Sequence, residues 1–164
     1  MMNLGDWSNF YIASAGAAAA LAGLVIVSVS VNISHILKYN HLPMRAAAAI
    51  SSLVLILVSS LVGLFYGITT RNFGLIVILA TLLTCIFGLK VLANILSKNY
   101  YKIGLKEKIF QITITQLGLL MFLVSGILLT TNVSTGFTLL AFSTLIVFIS
   151  SMINAWVLLV EILR

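Results

Sequence analysis

The feature that most constrains this sequence is a series of apolar runs, each roughly 20 to 28 residues long. A run of that length can cross the hydrocarbon core of a bilayer as a helix, because an α-helix rises about 1.5 Å per residue. Only 7% of the 164 residues are charged, whereas soluble domains carry about 25%. The sequence therefore predicts an all-α membrane protein without a soluble domain.

The apolar runs divide the chain into five predicted transmembrane helices, which form a single transmembrane domain over residues 1–164. Backbone polar groups cannot stay unpaired in hydrocarbon, so each run is expected to be helical. The predicted helices cover about residues 10–37, 43–68, 73–96, 109–129 and 137–163. Pro43, the only proline, stands where the second helix can begin without losing a backbone hydrogen bond.

The basic residues are distributed unequally between the two sides that five spans define. One side receives the loop between the first and second helices, the loop between the third and fourth, and the C-terminus. Its basic residues are Lys38, Arg45, Lys98, Lys102, Lys106, Lys108 and Arg164, whereas the other side has Arg71 alone. By the positive-inside rule, we expect the N-terminus outside and the C-terminus in the cytosol. The basic loop between the third and fourth helices is also expected to contact anionic lipids.

The residues around the first apolar run indicate how it is held in the membrane. No basic residue precedes it, which favours a retained helix over a cleaved signal peptide. Trp7 and Tyr11 lie near one predicted boundary, and Tyr100 and Tyr101 lie near the other. Aromatic residues at these positions are typical of interfacial anchors.

The titratable residues form no recognisable catalytic or metal-binding pattern. The acidic residues are widely separated: Asp6, Glu107 and Glu161. No HExxH, GxSxG or phosphate-binding glycine motif occurs. Cys85 is the only cysteine, which excludes an intrachain disulfide, and His35 and His41 have no third ligand nearby. We expect no catalytic residues, no metal and no cofactor.

Small residues share one face of the first predicted helix. At 100° per residue, this face carries Gly16, Ala19, Gly23, Ser30 and Ser34. The opposite face carries Ser14, Ser28, Asn32 and His35. Small residues allow helix backbones to approach closely in a membrane. Two interpretations remain open: tight packing against the second helix, which begins with alanines at 46–49, or contact between protomers, including the lining of a pore.

Each predicted helix places a polar side chain at a similar distance from the cytosolic boundary. Counting about 1.5 Å per residue, the depth is about 12 Å for Lys90, Gln116 and the Ser51–Ser52 pair, about 15 Å for Asn154 and about 9 Å for Asn32. A lysine in hydrocarbon costs about 2.5 to 3.5 kcal/mol, so we expect Lys90 to point into the bundle or toward an oligomer axis. The layer is then a ligand or ion site. In the alternative interpretation, Lys90 snorkels to the cytosolic interface toward Glu161, and the amides join helices.

Two segments of the chain resemble an uncharacterised family of small bacterial inner-membrane proteins. The first segment reads GAAAALAGLV at 16–25, SVNI at 30–33 and LPMRA at 42–46, and the second reads NAWVLLVEILR at 154–164. Members of that family are sometimes labelled modulators of a membrane-bound AAA protease. The resemblance implies a bacterial inner membrane as the location, and it places Asn32, Asn154 and Glu161 within the segments that carry it.

These observations predict a non-enzymatic, multi-pass inner-membrane protein that forms a homo-oligomer with a structural or regulatory role. An oligomeric channel for ions or small solutes, with the polar layer around Lys90, is the first alternative. An accessory subunit of a larger membrane complex is the second. The net charge of +6 comes from residues beside the apolar runs, so nucleic acid is not an expected partner.

Overall fold

The computed structural model describes residues 4–31, 33, 41–97 and 105–160, with the backbone alone at 41–42, 45, 91–97, 105–113, 154 and 157–160. Within these ranges, a short 3-10 helix, Leu4–Trp7, precedes five α-helices. They are α1 (Ser8–Val31), α2 (His41–Gly63), α3 (Thr70–Ser97), α4 (Leu105–Thr130) and α5 (Thr135–Val160). No strand occurs in these described ranges. The all-helical fold is confirmed.

In the part of the chain that the structure describes, four stretches are long and apolar enough to cross a membrane: Leu4–Val31, Ala46–Gly63, Thr70–Lys90 and Thr135–Ile153. The apolar part of α4, Ile114–Thr130, is shorter, although the whole helix has 26 residues. Large apolar side chains are exposed on all five helices. Water would disfavour such a surface, whereas lipid accommodates it. The chain is a membrane protein.

The five helices form one bundle in which chain neighbours pack side by side. α1 lies along α2, and α4 lies between α3 and α5; α2 also contacts α3 and α5, and α1 also contacts α5. The main hydrophobic cluster includes Tyr11 of α1, Ile56 of α2, Phe73 of α3, Phe122 of α4 and Leu140 of α5. All five helices therefore share one core.

Glycines allow α3, α4 and α5 to cross at short range. A Cβ atom on Gly74 would lie 2.8 Å from both the carbonyl oxygen of Gly126 and the backbone nitrogen of Thr130. A Cβ on Gly118, where α4 meets α5, would lie 2.8 Å from Cγ2 of Val147. Membrane helices associate largely through such van der Waals contact. The positions of these three helices therefore depend on residues without a side chain.

The connection between α2 and α3 differs from the prediction. The second helix was expected to reach residue 68, but α2 ends at Gly63, and Gly67 has a φ of 79° in the turn that follows. The predicted helix was too long because the residues after Gly63 are also largely apolar. The third helix was expected to begin at 73, but α3 begins at Thr70. The backbone N–H of Asn72 donates to the Thr69 hydroxyl at 3.3 Å, which caps the first turn.

The uncharged segment 131–136 was predicted to separate the last two helices, and α4 does end at Thr130. Asn132 takes a left-handed φ of 59°. The N–H of Val133 donates to the Leu128 carbonyl at 3.0 Å, and the N–H of Asn132 donates to the Leu129 carbonyl at 3.1 Å. This pattern is a Schellman motif, in which asparagine replaces the usual glycine. The predicted ends of the first helix at 37 and the last at 163 lie outside the described residues.

Candidate functional site

Apart from Tyr11, the buried side chains with a polar group in the described part of the bundle are serine or threonine. Several of their hydroxyls donate to a carbonyl three or four residues earlier in the same helix. Thr81 Oγ1 donates to the Val77 carbonyl at 2.6 Å, and Ser125 Oγ donates to the Phe122 carbonyl at 2.8 Å. Such a bond satisfies the hydroxyl without a partner from another helix. These positions therefore permit close packing and supply no acid or base.

A side-chain hydrogen bond between Thr115 Oγ1 and Ser150 Oγ joins α4 to α5. The adjacent Ser151 hydroxyl is buried and has no hydrogen-bond partner among the described residues. Gln116, which follows Thr115, is half-buried and points toward α3, with its Nε2 3.5 Å from the position of a Cβ on Gly88. One hydrogen bond therefore joins two helices beside Gln116, a member of the predicted polar layer, and the depth of that layer stays a prediction.

The structure describes only part of that predicted layer. Asn32 lies outside the described residues, as does the side chain of Asn154. Lys90 is exposed on α3, so the expectation that it points into the protomer is corrected. The flexible side chain can carry its ammonium group out of the hydrocarbon core toward the membrane surface. A side chain packed inside the bundle could not do so. An oligomer axis as the destination of Lys90 stays a prediction.

Ser51 and Gln116 are the other members of the layer with described side chains. Ser51 Oγ donates to the Ala48 carbonyl at 2.8 Å, within α2. Gln116 lies on α4, and no hydrogen bond joins Lys90, Ser51 and Gln116 to one another. The described members of the layer therefore do not form a connected site in one protomer, and their convergence in an oligomer stays a prediction.

Ser51 instead lines a groove of about 560 Å³ between α2 and α3. Its other walls include Ala47, Val54 and Val58 of α2 and Leu83, Thr84 and Phe87 of α3. Thr84 Oγ1 donates to the Ala80 carbonyl at 2.9 Å, so both lining hydroxyls are bonded within their own helices. The groove therefore offers an apolar surface. Sequence reasoning missed it because it depends on how the two helices pack against each other.

A cavity of about 580 Å³ lies at the other end of α2, where residues 64–70 meet the N-terminal 3-10 helix. Gly63 lines it, and Tyr11 packs behind Gly63 with its ring 2.9 Å from the position of a Cβ there. Tyr11 was predicted to be an interfacial anchor, but it is only 1% exposed and contacts Phe73. The Tyr11 hydroxyl and the Trp7 indole N–H are buried without a hydrogen-bond partner in the described part of the chain.

The small-residue face of α1 points away from its own bundle. Gly16, Ala19, Gly23 and Ser30 are all exposed, and no heavy atom lies within 4 Å of a Cβ placed on either glycine. The buried residues of α1 are on the other side of the helix: Tyr11, Ser14, Ala18, Val25 and Ser28. The interpretation that the small face packs against the second helix is therefore wrong. Contact between protomers through this face stays a prediction.

The surface of the bundle exposes apolar side chains, and several hydroxyls in its interior are hydrogen-bonded within their own helices. These features define the protein as a helical-bundle membrane protein. Among the residues that the structure describes, no group of three His, Cys, Asp or Glu side chains could hold a metal ion. Comparisons of the chain with protein-family models, curated proteins and solved structures gave no match. The resemblance to a bacterial inner-membrane family stays a prediction.

Proposed function

We propose that this chain is a non-enzymatic, multi-pass protein of the bacterial inner membrane that associates with copies of itself and has a structural or regulatory role. The observation that carries the proposal is the exposed small-residue face of α1. Open space surrounds Gly16 and Gly23 on the protomer surface. The proposed location in the bacterial inner membrane rests on the resemblance of the terminal segments and on the distribution of basic residues.

A second helix fits this face better than lipid does. On another side, α1 exposes Leu24, which lipid tails surround readily, whereas the exposed Val27 lies at the edge of the small face, one turn after Gly23. A row of small residues forms a shallow channel along the helix, in which another backbone gains many van der Waals contacts. Two copies of the same face complement each other across a two-fold axis, which is the commonest symmetry of homo-oligomers.

The proposed topology has five spans, with the N-terminus outside and the C-terminus in the cytosol. α4 has 26 residues, which gives a length of about 39 Å against a hydrocarbon core of about 30 Å. It also lies between α3 and α5, both of which contain spans. A fifth span agrees with the placement of Arg71 alone on one side and seven basic residues on the other.

The mass of the protein in mild detergent tests self-association. We expect an oligomer that Gly23→Leu and Ala19→Leu dissociate, because leucine fills the channel along α1. Ala17→Leu is the matched control, since Ala17 is exposed on α1 but lies outside the small face. A wild-type protein that is always monomeric would contradict the proposal, as would dissociation by the control variant alone.

Reporter fusions test the topology. Fusions after Gly67 and Ser134, in the two described turns, are expected outside, and fusions after Asn40 and Lys102 are expected in the cytosol. A cytosolic reporter after Ser134 would mean that α4 does not cross the membrane.

The same purification distinguishes the two alternative functions. A symmetric ring whose conductance is lost in Lys90→Met would favour a channel, because the substitution removes the charge and keeps a similar bulk. Co-purifying subunits would favour an accessory role. The exposure of Lys90 in a spanning helix is the observation that keeps the channel as a candidate.

A further inference from the structure

We propose that the groove between α2 and α3 binds one acyl chain of an anionic phospholipid, whose phosphate is held by Lys90. The groove is apolar along its walls, and Lys90 lies one helical turn beyond the lining residue Phe87. The inference rests on the membrane insertion proposed above, but it is independent of self-association.

The length of the groove matches the length of one acyl chain. Its lining on α2 extends from Ala47 to Val58, which corresponds to about 16 Å of helix at 1.5 Å per residue. Half of a hydrocarbon core of about 30 Å has nearly the same thickness. The volume of about 560 Å³ falls within the range of about 300 to 1,000 Å³ that is typical of small-molecule sites. An acyl chain of the length that fills one leaflet can therefore lie along the groove.

The position of Lys90 identifies the polar end of the occupant. Lys90 follows the lining residue Leu83 by seven residues, which returns it to within about 20° of Leu83 around α3. Its side chain is exposed, and it lies three residues beyond Phe87, the last lining residue of the groove on α3. From its counted depth of about 12 Å, a lysine extends its ammonium toward the headgroups while its methylene stem stays along the apolar wall. An anionic headgroup at that level gains a charge-assisted contact.

The chemistry of the walls excludes a polar occupant. The hydroxyls of Ser51 and Thr84 already donate within their own helices, and the remaining walls are aliphatic or aromatic. A peptide or a hydrated ion would leave polar groups unpaired against these walls. A hydrocarbon chain with one anionic end satisfies both the apolar groove and the cation beside it.

Tryptophan quenching by brominated lipids tests the proposal in the full-length protein. Trp7→Phe and Trp156→Phe remove the native signal, and Leu83→Trp places a reporter in the groove. Leu82→Trp is the matched control, because Leu82 is at the same depth and exposed but does not line the groove. Vesicles contain equal parts of phosphatidylcholine and phosphatidylglycerol, with bromine on the acyl chains of one lipid or of the other. The ratio of the two quenching signals gives the local lipid preference.

At position 83 we expect phosphatidylglycerol to be preferred by up to about fivefold, the factor that one lysine contributes near an anionic surface. At position 82 the ratio is expected to be near one. Lys90→Gln should abolish the preference at 83, and Lys90→Arg should keep it. Equal ratios at both positions, or a preference that survives Lys90→Gln, would overturn the proposal. Absence of quenching at both positions would instead contradict membrane insertion.

A second measurement applies if Leu83→Trp does not fold. Mass spectrometry of the intact protein in mild detergent, after addition of each phospholipid, reports which one is retained. Lys90→Gln should lose retained phosphatidylglycerol, whereas Arg71→Gln, which removes the exposed cation at the other end of α3, should not. Equal loss in both variants, or no loss in either, would contradict a site at Lys90.

Discussion

The crossing of α3 and α4 and the outer face of α1 both present glycine, but the two regions use it differently. At the crossing, a Cβ on Gly74 would meet backbone atoms of α4 at 2.8 Å, and a Cβ on Gly126 would meet Ile78 at 2.7 Å. On α1, a Cβ on Gly16 or Gly23 would meet nothing within 4 Å. At the crossing, glycine lets two helices of one protomer pack closely. On α1, glycine is available for contact with another molecule. The same residue type therefore predicts close packing without indicating the partner.

The largest expected effect is at the crossing. Gly74→Ala places a methyl group against the backbone of Gly126 and Thr130, which cannot move without shifting α4. We expect a loss of about 1–3 kcal/mol in the free energy of unfolding, as for other overpacked sites. Unfolding in mixed detergent micelles, followed by helix content, measures it. Gly88→Ala on the same helix is the control, because its nearest neighbour there is the Gln116 amide at 3.5 Å. An equal loss in both variants would contradict the distinction.

A smaller loss is expected at the contact between α1 and α2. Gly63→Ala would bring a methyl group to within 2.9 Å of the Tyr11 ring. A ring can tilt where a backbone cannot, so the expected loss of stability is near the lower end of the range of about 1–3 kcal/mol. Gly5→Ala, with open space around it, is the matched control. A loss larger than that of Gly74→Ala in the same unfolding assay would reverse the order proposed here.

The hydrogen bond between Thr115 and Ser150 is expected to contribute less. Side-chain hydrogen bonds between membrane helices average about 0.6 kcal/mol in double-mutant cycles. Thr115→Val, Ser150→Ala and the double variant form the cycle, measured by the same unfolding assay. An interaction energy indistinguishable from zero would show that close packing alone holds α4 against α5.

The smallest effect is expected on the outer face of α1. Gly16→Ala adds a methyl group in open space, and alanine favours helix more than glycine does. We expect protomer stability to stay within about 0.5 kcal/mol of the wild type or to rise slightly. A loss comparable to that of Gly74→Ala would mean that Gly16 is packed inside the bundle.

The helical class followed from the sequence because the length and apolarity of each run leave few other structures in lipid. The turn after α4 was also predicted, since Asn132 belongs to an uncharged segment between two apolar runs. The end of α2 was not predicted, because apolar residues continue beyond Gly63 and a hydropathy pattern does not show where the chain changes direction. Gly63 and Gly67 were the available signals.

The interhelical contacts could be predicted much less well than the helices. Small residues on α1 were correctly placed on one face, but sequence periodicity does not say which face turns inward. Tyr11 was expected at an interface with lipid, yet it fills the core beside Gly63. Gly74 and Gly126 attracted no prediction, although glycine within an apolar run is a signal of close approach. Each of these outcomes depends on the rotation of one helix against another.

Cysteine cross-linking in native membranes tests the central claim, that the small face of α1 meets another copy, most directly. In a Cys85→Ser background, oxidation should link Gly23→Cys and Ala19→Cys into covalent dimers, because a disulfide forms only when the Cα atoms come within about 7 Å. Ala17→Cys, also exposed on α1 but off the small face, should stay monomeric. Failure of positions 19 and 23 to cross-link, or equal cross-linking at position 17, would contradict the account.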